Sequence, residues 1–293
     1  MEQIKKENII AALQRYVERY GSVRKAARSI DIPESLIRSI IKGEERVADA
    51  TLHEVAAAVG YKVEKWEAVA TTTYTRLTTI YTDAQENALV MAVCGRAGTG
   101  KTFTTKHYAQ SHPDTIVVFC SEFWGKKQFL QELLKAMGAD YQGCNISDMM
   151  DKAVRLIKRK ESPLIVLDEA DKLTDAVLYF FITLYNQLED ECGLILLATD
   201  YLEKRMTHGL RLKKKGYQEI WSRLGRKCVA LRGLTQADIA MVCEVNGVDN
   251  AREIDSIIDD AEEDLRRVKR RVHAYLRKKE KATANKNDHE QEA

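Results

Sequence analysis

Val90-Met91-Ala92-Val93-Cys94-Gly95-Arg96-Ala97-Gly98-Thr99-Gly100-Lys101-Thr102 is an apolar run that breaks into glycines and ends in Lys-Thr. The apolar part suits a buried strand, and the rest reads as a phosphate-binding loop. Gly95, Gly98 and Gly100 let the backbone turn so that successive N–H groups face inward, and the next helix adds its positive N-terminal end. On that geometry Lys101 reaches the β- and γ-phosphates of a nucleotide, and the Thr102 hydroxyl holds Mg²⁺. A glycine turn that binds nothing is the rival reading. Spacing, the Lys-Thr pair and the flanking strand together favour the nucleotide, with Gly95, Arg96, Ala97, Gly98, Thr99, Gly100, Lys101 and Thr102 as its cradle.

C-terminal to the loop, Phe103 to Gln110 reads as its helix and residues 115–120 as a second strand. Helices follow over 129–137 and 147–160. Pro163-Leu164-Ile165-Val166-Leu167-Asp168-Glu169-Ala170-Asp171 is then an apolar strand ending in carboxylates. Asp168 can hold Mg²⁺ through water, and Glu169 can polarise the water that attacks the γ-phosphate. Many strands end in a solvated acidic turn, so the pattern alone is weak. Downstream of the phosphate loop, with a strand and helices between, it completes a nucleotide hydrolase site. A helix over 173–188 leads to a further buried strand, Gly193 to Ala198, which ends in Thr199 and Asp200. In a parallel sheet the ligand crevice lies at the carboxyl ends of the strands, so the three endings converge. One of Thr199 and Asp200 positions the lytic water, or both serve to cap the next helix.

Arg205 to Lys227 is the most basic run of this region, with His208, Tyr217 and Trp221 interleaved. Lys213, Lys214 and Lys215 before Gly216 read as a mobile loop suited to backbone phosphates of DNA, or as a solvated face. Arg223 or Arg226 can complete the ATP site of a neighbouring subunit. Residues 234–280 read as entirely helical, interrupted at Asn246-Gly247, and the polar residues 281–293 as a disordered tail.

N-terminal to the loop, residues 4–20 place Ile4, Ile9, Ile10, Leu13, Val17 and Tyr20 at helical spacing. Ser22 is a candidate cap for a short helix over 23–30; Asp31-Ile32 makes a turn, and residues 33–41 form a second helix closed by Gly43. Ala27, Asp31 and Ile37 have the spacing of a helix-turn-helix, with Asp31 where glycine is usual. As a DNA reader its second helix would present Glu34, Ser35, Arg38, Ser39 and Lys42 to a groove, with Arg24, Lys25 and Arg28 near phosphates. A small helical protein-contact domain is the rival. A helix over 50–59 completes the bundle. The expected organisation is a helix-turn-helix domain over 1–60, a linker over 61–70, a nucleotide-binding core over 71–233, a helical lid over 234–280 and the tail. Threonines accumulate from Thr71 to Thr79, and no helix is assigned there.

Composition narrows the classes. Among 293 residues, 46 Lys and Arg against 44 Asp and Glu give a formal charge of +2, so no global field draws this chain to a polyanion. Any such binding comes from local patches. No apolar run is long enough to span a bilayer, and the N-terminus lacks the apolar core of a signal peptide, so a cytoplasmic location is expected and no membrane partner. The 6 cysteines form no Cys-x-x-Cys pair, which favours reduced core residues over zinc ligands. Only 3 prolines fit a helix-rich chain.

The order of helix-turn-helix, phosphate loop, Leu164-to-Glu169 strand, polar strand end, arginine pair and helical lid resembles an AAA+ ATPase over roughly residues 5–275. More narrowly it is similar to the family of the phage Mu B protein and the target-selection ATPases of transposons, through Trp221-Ser222-Arg223-Leu224 and Asp264-Leu265-Arg266-Arg267. The resemblance implies an α/β fold: an AAA+ parallel-sheet core with a small helical lid, preceded by an all-α domain. It also implies that Lys101 and Thr102 bind ATP and Mg²⁺, that Asp168 binds the metal, and that Glu169 is the catalytic base. Arg223 falls at the arginine finger and Arg266 at the lid's ATP-sensing arginine. The strand-end sensor, commonly Asn, would be Asp200 or Thr199. Family members assemble as ATP-dependent filaments on double-stranded DNA and recruit a transposase. A helicase loader or replication initiator would share every nucleotide residue, and a nucleotide-switched DNA-binding regulator would have no use for Glu169.

Overall fold

The structure is a computed structural model that describes residues 2–43, 47–59 and 66–291. The chain divides into two compact units, Met1–Glu67 and Ala68–Ala293. Residues 60–65, which include half of the expected linker, lie outside the described residues.

The first unit is helical. It comprises α1 (Glu2–Tyr20), α2 (Val23–Ile30), α3 (Glu34–Ile41) and α4 (Asp49–Ala58). Ile9, Leu13, Ala27, Ile37, Ile40, Leu52, Val55 and Ala56 are buried together, one apolar stripe from each helix facing a shared centre. The Ser22 hydroxyl accepts from Lys25 N at 3.3 Å and starts α2. Asp31 ends it in the left-handed region at φ 54° and ψ 40°, which turns the chain into α3.

The second unit begins with a helix the threonine-rich stretch conceals. α5 (Thr72–Glu86) is capped by the Thr71 hydroxyl, which accepts from Tyr74 N at 3.2 Å. It buries Thr73, Leu77, Ile80, Tyr81 and Ala84. Two of its threonines bond the preceding turn, Thr78 donating to Tyr74 O at 3.0 Å and Thr79 to Thr75 O at 2.9 Å, while Thr72 donates to Asp238 Oδ1 at 3.1 Å and Thr73 to Arg232 O at 3.4 Å.

The sheet contains β1 (Val90–Cys94), β2 (Thr115–Phe119), β3 (Leu164–Asp168), β4 (Gly193–Ala198) and β5 (Cys228–Ala230). All pairs are parallel, in the order β2-β3-β4-β1-β5. β3 and β4 are buried along their whole length, as their continuous apolar runs require of central parallel strands. Alternate side chains feed two cores. Ile165, Leu167, Leu194 and Leu196 pack with α7 (Lys126–Ala136), α8 (Ile146–Ile157) and α9 (Asp175–Leu188), while Leu164, Val166, Ile195 and Leu197 pack with α5 and with Tyr108 of α6 (Lys101–Ser111). β5 and the helix α10 (Tyr201–Arg211) follow from the same layering, with α11 (Tyr217–Arg223) between them.

Three helices close the chain: α12 (Gln236–Val245), α13 (Ala251–Ala261) and α14 (Leu265–Gln291). The structure departs from the sequence expectation at two places in this stretch. The helical stretch has a second break, at 262–264, where Glu262 and Glu263 take φ values of 49° and 61°. α14 runs on to Gln291, into the stretch 281–293 read as a disordered tail. No Pro or Gly interrupts that segment, and its Ala, Lys, Glu and Gln are good helix formers.

Candidate functional site: the phosphate loop and the strand ends

β1 leaves the sheet at Cys94, and the loop wraps from Gly95 into α6. Gly98 and Gly100 take φ values of 82° and 91°, a backbone that side chains resist. The Thr99 hydroxyl donates to Arg96 O at 3.0 Å and holds the curl, while Arg96 and Ala97 stay exposed at its tip. Lys101 Nζ donates to Gly95 O and Arg96 O, each at 2.7 Å, so its ammonium sits inside the loop it belongs to. Burial lowers its pKa and the charge of Arg266 adds to that, while Asp168, Asp171 and Asp200 pull the other way.

Asp168, almost wholly buried at the end of β3, accepts from the Thr102 hydroxyl at 2.7 Å and from Glu169 N at 2.9 Å. Burial raises its carboxyl above the usual range, and the charge of Glu169 adds to the rise. A buried carboxylate against a hydroxyl, beside a glycine cradle, fits a hard divalent cation that would relieve that desolvation. Thr102 and Asp168 would hold Mg²⁺, and the loop and Lys101 the phosphates. Glu169 is exposed in left-handed backbone at φ 58°, paired with Lys172 at 2.7 Å.

At the end of β4 the Thr199 hydroxyl donates to Asp171 Oδ2 at 2.6 Å. The carboxylate of Asp200 makes no capping bond to α10. Asp171 belongs to the acidic turn quoted from the sequence but carried no assigned role there; only its place three residues after Asp168 hinted at one.

The lid touches the loop directly. Leu265 N donates to Gly98 O at 2.9 Å, Arg96 pairs with Glu263 at 2.9 Å, and the Asp264 carboxylate lies against Gly98 while accepting from Arg266 N at 2.7 Å. No turn signal in the sequence marked this break, so these contacts were not legible there.

The remaining basic residues lie elsewhere. Arg223 donates to Asn186 Oδ1 at 2.9 Å, pairs with Glu219 at 3.0 Å and covers the Tyr185 ring, all on α9 and α11 of its own chain. Arg226 is exposed with φ 58°. Lys213 is exposed, Lys214 pairs with Asp175 at 3.2 Å, and Lys215 sits over the Tyr179 ring. Arg38 pairs with Glu34 at 2.6 Å on α3, and Lys42 ends that helix.

A glycine loop between strand and helix, answered by a buried aspartate two strands away in the sheet, defines a P-loop nucleotide-binding protein. Residues 84–206 match the family model described as AAA domain, so the chain carries an AAA-type ATPase domain in an α/β AAA+ core. Among solved structures it is similar to the S. cerevisiae Hsp104-ADP complex, with 14% sequence identity and a TM-score of 0.45, covering 94% of this chain and 60% of that one. The chain thus spans less than two thirds of that relative's length. No curated protein matches it.

Proposed function

We propose that this chain is an ATP-dependent, non-specific DNA-binding ATPase that assembles on double-stranded DNA and recruits a transposase to it. The observation that carries the ATPase part is the Thr102–Asp168 hydrogen bond at 2.7 Å beside Lys101, a metal-holding pair next to a phosphate cation. Bound Mg²⁺ would neutralise charge on the β- and γ-phosphates. Gly95 to Thr102 cradle those phosphates, and Lys101 leaves the carbonyls of Gly95 and Arg96 for them. Glu169 accepts the proton of the attacking water, which requires it to leave Lys172. Thr199, oriented by Asp171, is the strand-end group that holds that water in line. Arg266 reads the γ-phosphate from the lid, and the bond from its neighbour Leu265 N to Gly98 O at 2.9 Å supports that role.

Arg223 completes the site of an adjacent copy in a homo-oligomer, a helical filament or a ring. Its side chain is 21% exposed and spent on its own α9 and α11, so this role asks it to exchange Asn186 for a phosphate. Double-stranded DNA is held by Arg38 and Lys42 of the helix-turn-helix and by Lys213, Lys214 and Lys215. The left-handed turn at Asp31 between two short helices supports the first surface. The exposed Lys213 supports the second.

Electron microscopy of the chain with duplex DNA, with and without a slowly hydrolysed ATP analogue, tests the whole reading. Filaments that need the analogue, and that Lys101→Ala abolishes, are expected. Filaments unchanged without nucleotide, or no DNA association at all, would sink it. A helicase, in place of a transposase, as the partner that raises hydrolysis would move the assignment to a helicase loader.

A further inference from the structure

Arg205 belongs by sequence to the basic run of 205–227, yet its side chain is only 14% exposed. The guanidinium points from α10 into the back of the turn that carries Glu169. It donates to Asp171 O at 3.1 Å and Leu173 O at 2.5 Å, to Asp175 Oδ1 at 2.5 Å and to the Tyr217 hydroxyl at 3.2 Å. A guanidinium this enclosed is tolerated because its donors find acceptors in a fixed plane.

The turn needs such a support. Glu169 sits in left-handed backbone, which a side chain resists and which lasts only where the surroundings over-determine it. Its own turn supplies two backbone bonds, Lys172 N to Glu169 O at 3.0 Å and Leu173 N to Ala170 O at 3.2 Å. Lys172 also pairs with the Glu169 carboxylate, and from outside the turn Thr199 grips the Asp171 side chain while Arg205 grips the carbonyls of Asp171 and Leu173. Asp171 is therefore held at both ends, by the strand-end hydroxyl through its carboxylate and by Arg205 through its backbone.

We infer that Arg205 is a positioning residue for ATP hydrolysis, fixing the 169–173 turn so that Glu169 and Thr199 keep their mutual placement. This rests on the reading of Glu169 and Thr199 as parts of a hydrolytic site. The same guanidinium meets Asp175, which also accepts from Lys214 at 3.2 Å and from Tyr217 at 2.7 Å. That chain of contacts forms one wall of a cleft of about 590 Å³ lined by Asp171, Lys172, Tyr201, Lys204, His208 and Lys214 among others. It makes the catalytic turn continuous with the basic loop. A lysine in place of Arg205 keeps one cation, but its single nitrogen cannot reach the two carbonyls, Asp175 and the Tyr217 hydroxyl together as the three guanidinium nitrogens do.

The test compares the full-length wild type with Arg205→Lys, Arg205→Ala and Tyr217→Phe, by steady-state ATP hydrolysis, equilibrium binding of a fluorescent ATP analogue and thermal melting. Arg205→Ala should lower kcat tenfold or more with analogue affinity within twofold. Arg205→Lys should fall between it and wild type. Tyr217→Phe removes only the hydroxyl shared by Arg205 and Asp175; it should lower kcat about twofold to fivefold at unchanged affinity. It decides the question with Arg205→Lys should the alanine variant not fold. Melting temperatures that drop while kcat per folded molecule holds, or affinity that falls in step with kcat, would show a merely structural arginine and overturn the inference. A wild type that binds the analogue without hydrolysing ATP overturns the reading of the site and the inference together. Hydrolysis untouched by any of the three substitutions overturns the inference alone.

Discussion

Gly98→Ala strikes the joint between the phosphate loop and the lid in two separable ways. At φ 82° an alanine is strained by about 1 kcal/mol. Its methyl carbon would also lie 2.3 Å from Asp264 Cγ and 2.4 Å from Oδ1, so the Asp264 side chain must leave. That carboxylate receives Arg266 N at 2.7 Å at the start of α14, and losing such a cap costs about 1 kcal/mol. The single variant should therefore lose about 2 kcal/mol, and Asp264→Ala about 1 kcal/mol. In the double variant the clashing atoms are gone, leaving one strained backbone and one lost cap. Its loss should be about 2 kcal/mol where additivity would give about 3, a coupling of about 1 kcal/mol. Urea unfolding of the four proteins measures it, followed by the fluorescence of Trp124 and Trp221 in a Trp66→Phe background so that only the second unit reports. Additive losses, or no loss from Gly98→Ala, would show that the lid turn does not rest on the loop.

Glu169→Gln should retain ATP with affinity within about twofold while phosphate release falls by about 10²- to 10⁴-fold, because phosphate contacts remain and only water activation is lost. Asp175 is partly buried, which favours its neutral form, yet hydrogen bonds from Tyr217, Arg205 and Lys214 outweigh that and bring its pKa down to about 2 from 3.8. A depressed carboxyl stabilises the fold above its unfolded pKa and loses that contribution as pH falls through the folded one. Wild type should thus exceed Asp175→Asn by about 1 kcal/mol at neutral pH, discounted because the carboxylate is half-exposed, and the gap in urea midpoint should close between pH 4 and pH 2. A gap that persists at the acid end would mean that the carboxylate's charge is not what stabilises. Lys213→Glu should weaken duplex DNA binding whatever the sequence and lower the slope of log affinity against log salt by about 1 or more in fluorescence anisotropy titrations. An unchanged slope would place the phosphate contact elsewhere.

Each part of this molecule was legible where side-chain pattern and backbone demand coincide. β1 and β3 are apolar runs that end abruptly, one in glycines and one in Asp168-Glu169, so strand, turn and chemistry could be read together. Asp31 could be placed in a left-handed turn because it stood four residues after Ala27 between two short helical patterns. α5 was hidden because nine residues from Thr71 to Thr79 include six threonines, whose β-branching argues against a helix. What overrides that preference is the Thr71 cap and the burial of Leu77, Ile80, Tyr81 and Ala84, with Thr72 and Thr73 bonded to Asp238 and Arg232, tertiary detail that composition does not carry. β5 has 3 residues, too few for any periodicity. The break at 262–264 lacks Gly and Pro; of its left-handed glutamates, Glu263 is held by Arg96 of the phosphate loop and Glu262 by Arg267 of α14. Arg205 carries a charge like its neighbours, and only the packing of α10 against the 169–173 turn separates it from them.

The ion pair between Arg96 and Glu263 joins residues 167 positions apart. A chain made from its N-terminus has every strand of the sheet in hand by Ala230, but the turn that covers Gly98 comes later. Closing so long a span carries an entropic cost that grows only slowly with length, so the lid can still dock once it exists. Until then the phosphate loop has an open flank. The wall of the phosphate loop is therefore completed late in synthesis, and a nascent chain halted before Glu263 would carry the loop's full sequence without it.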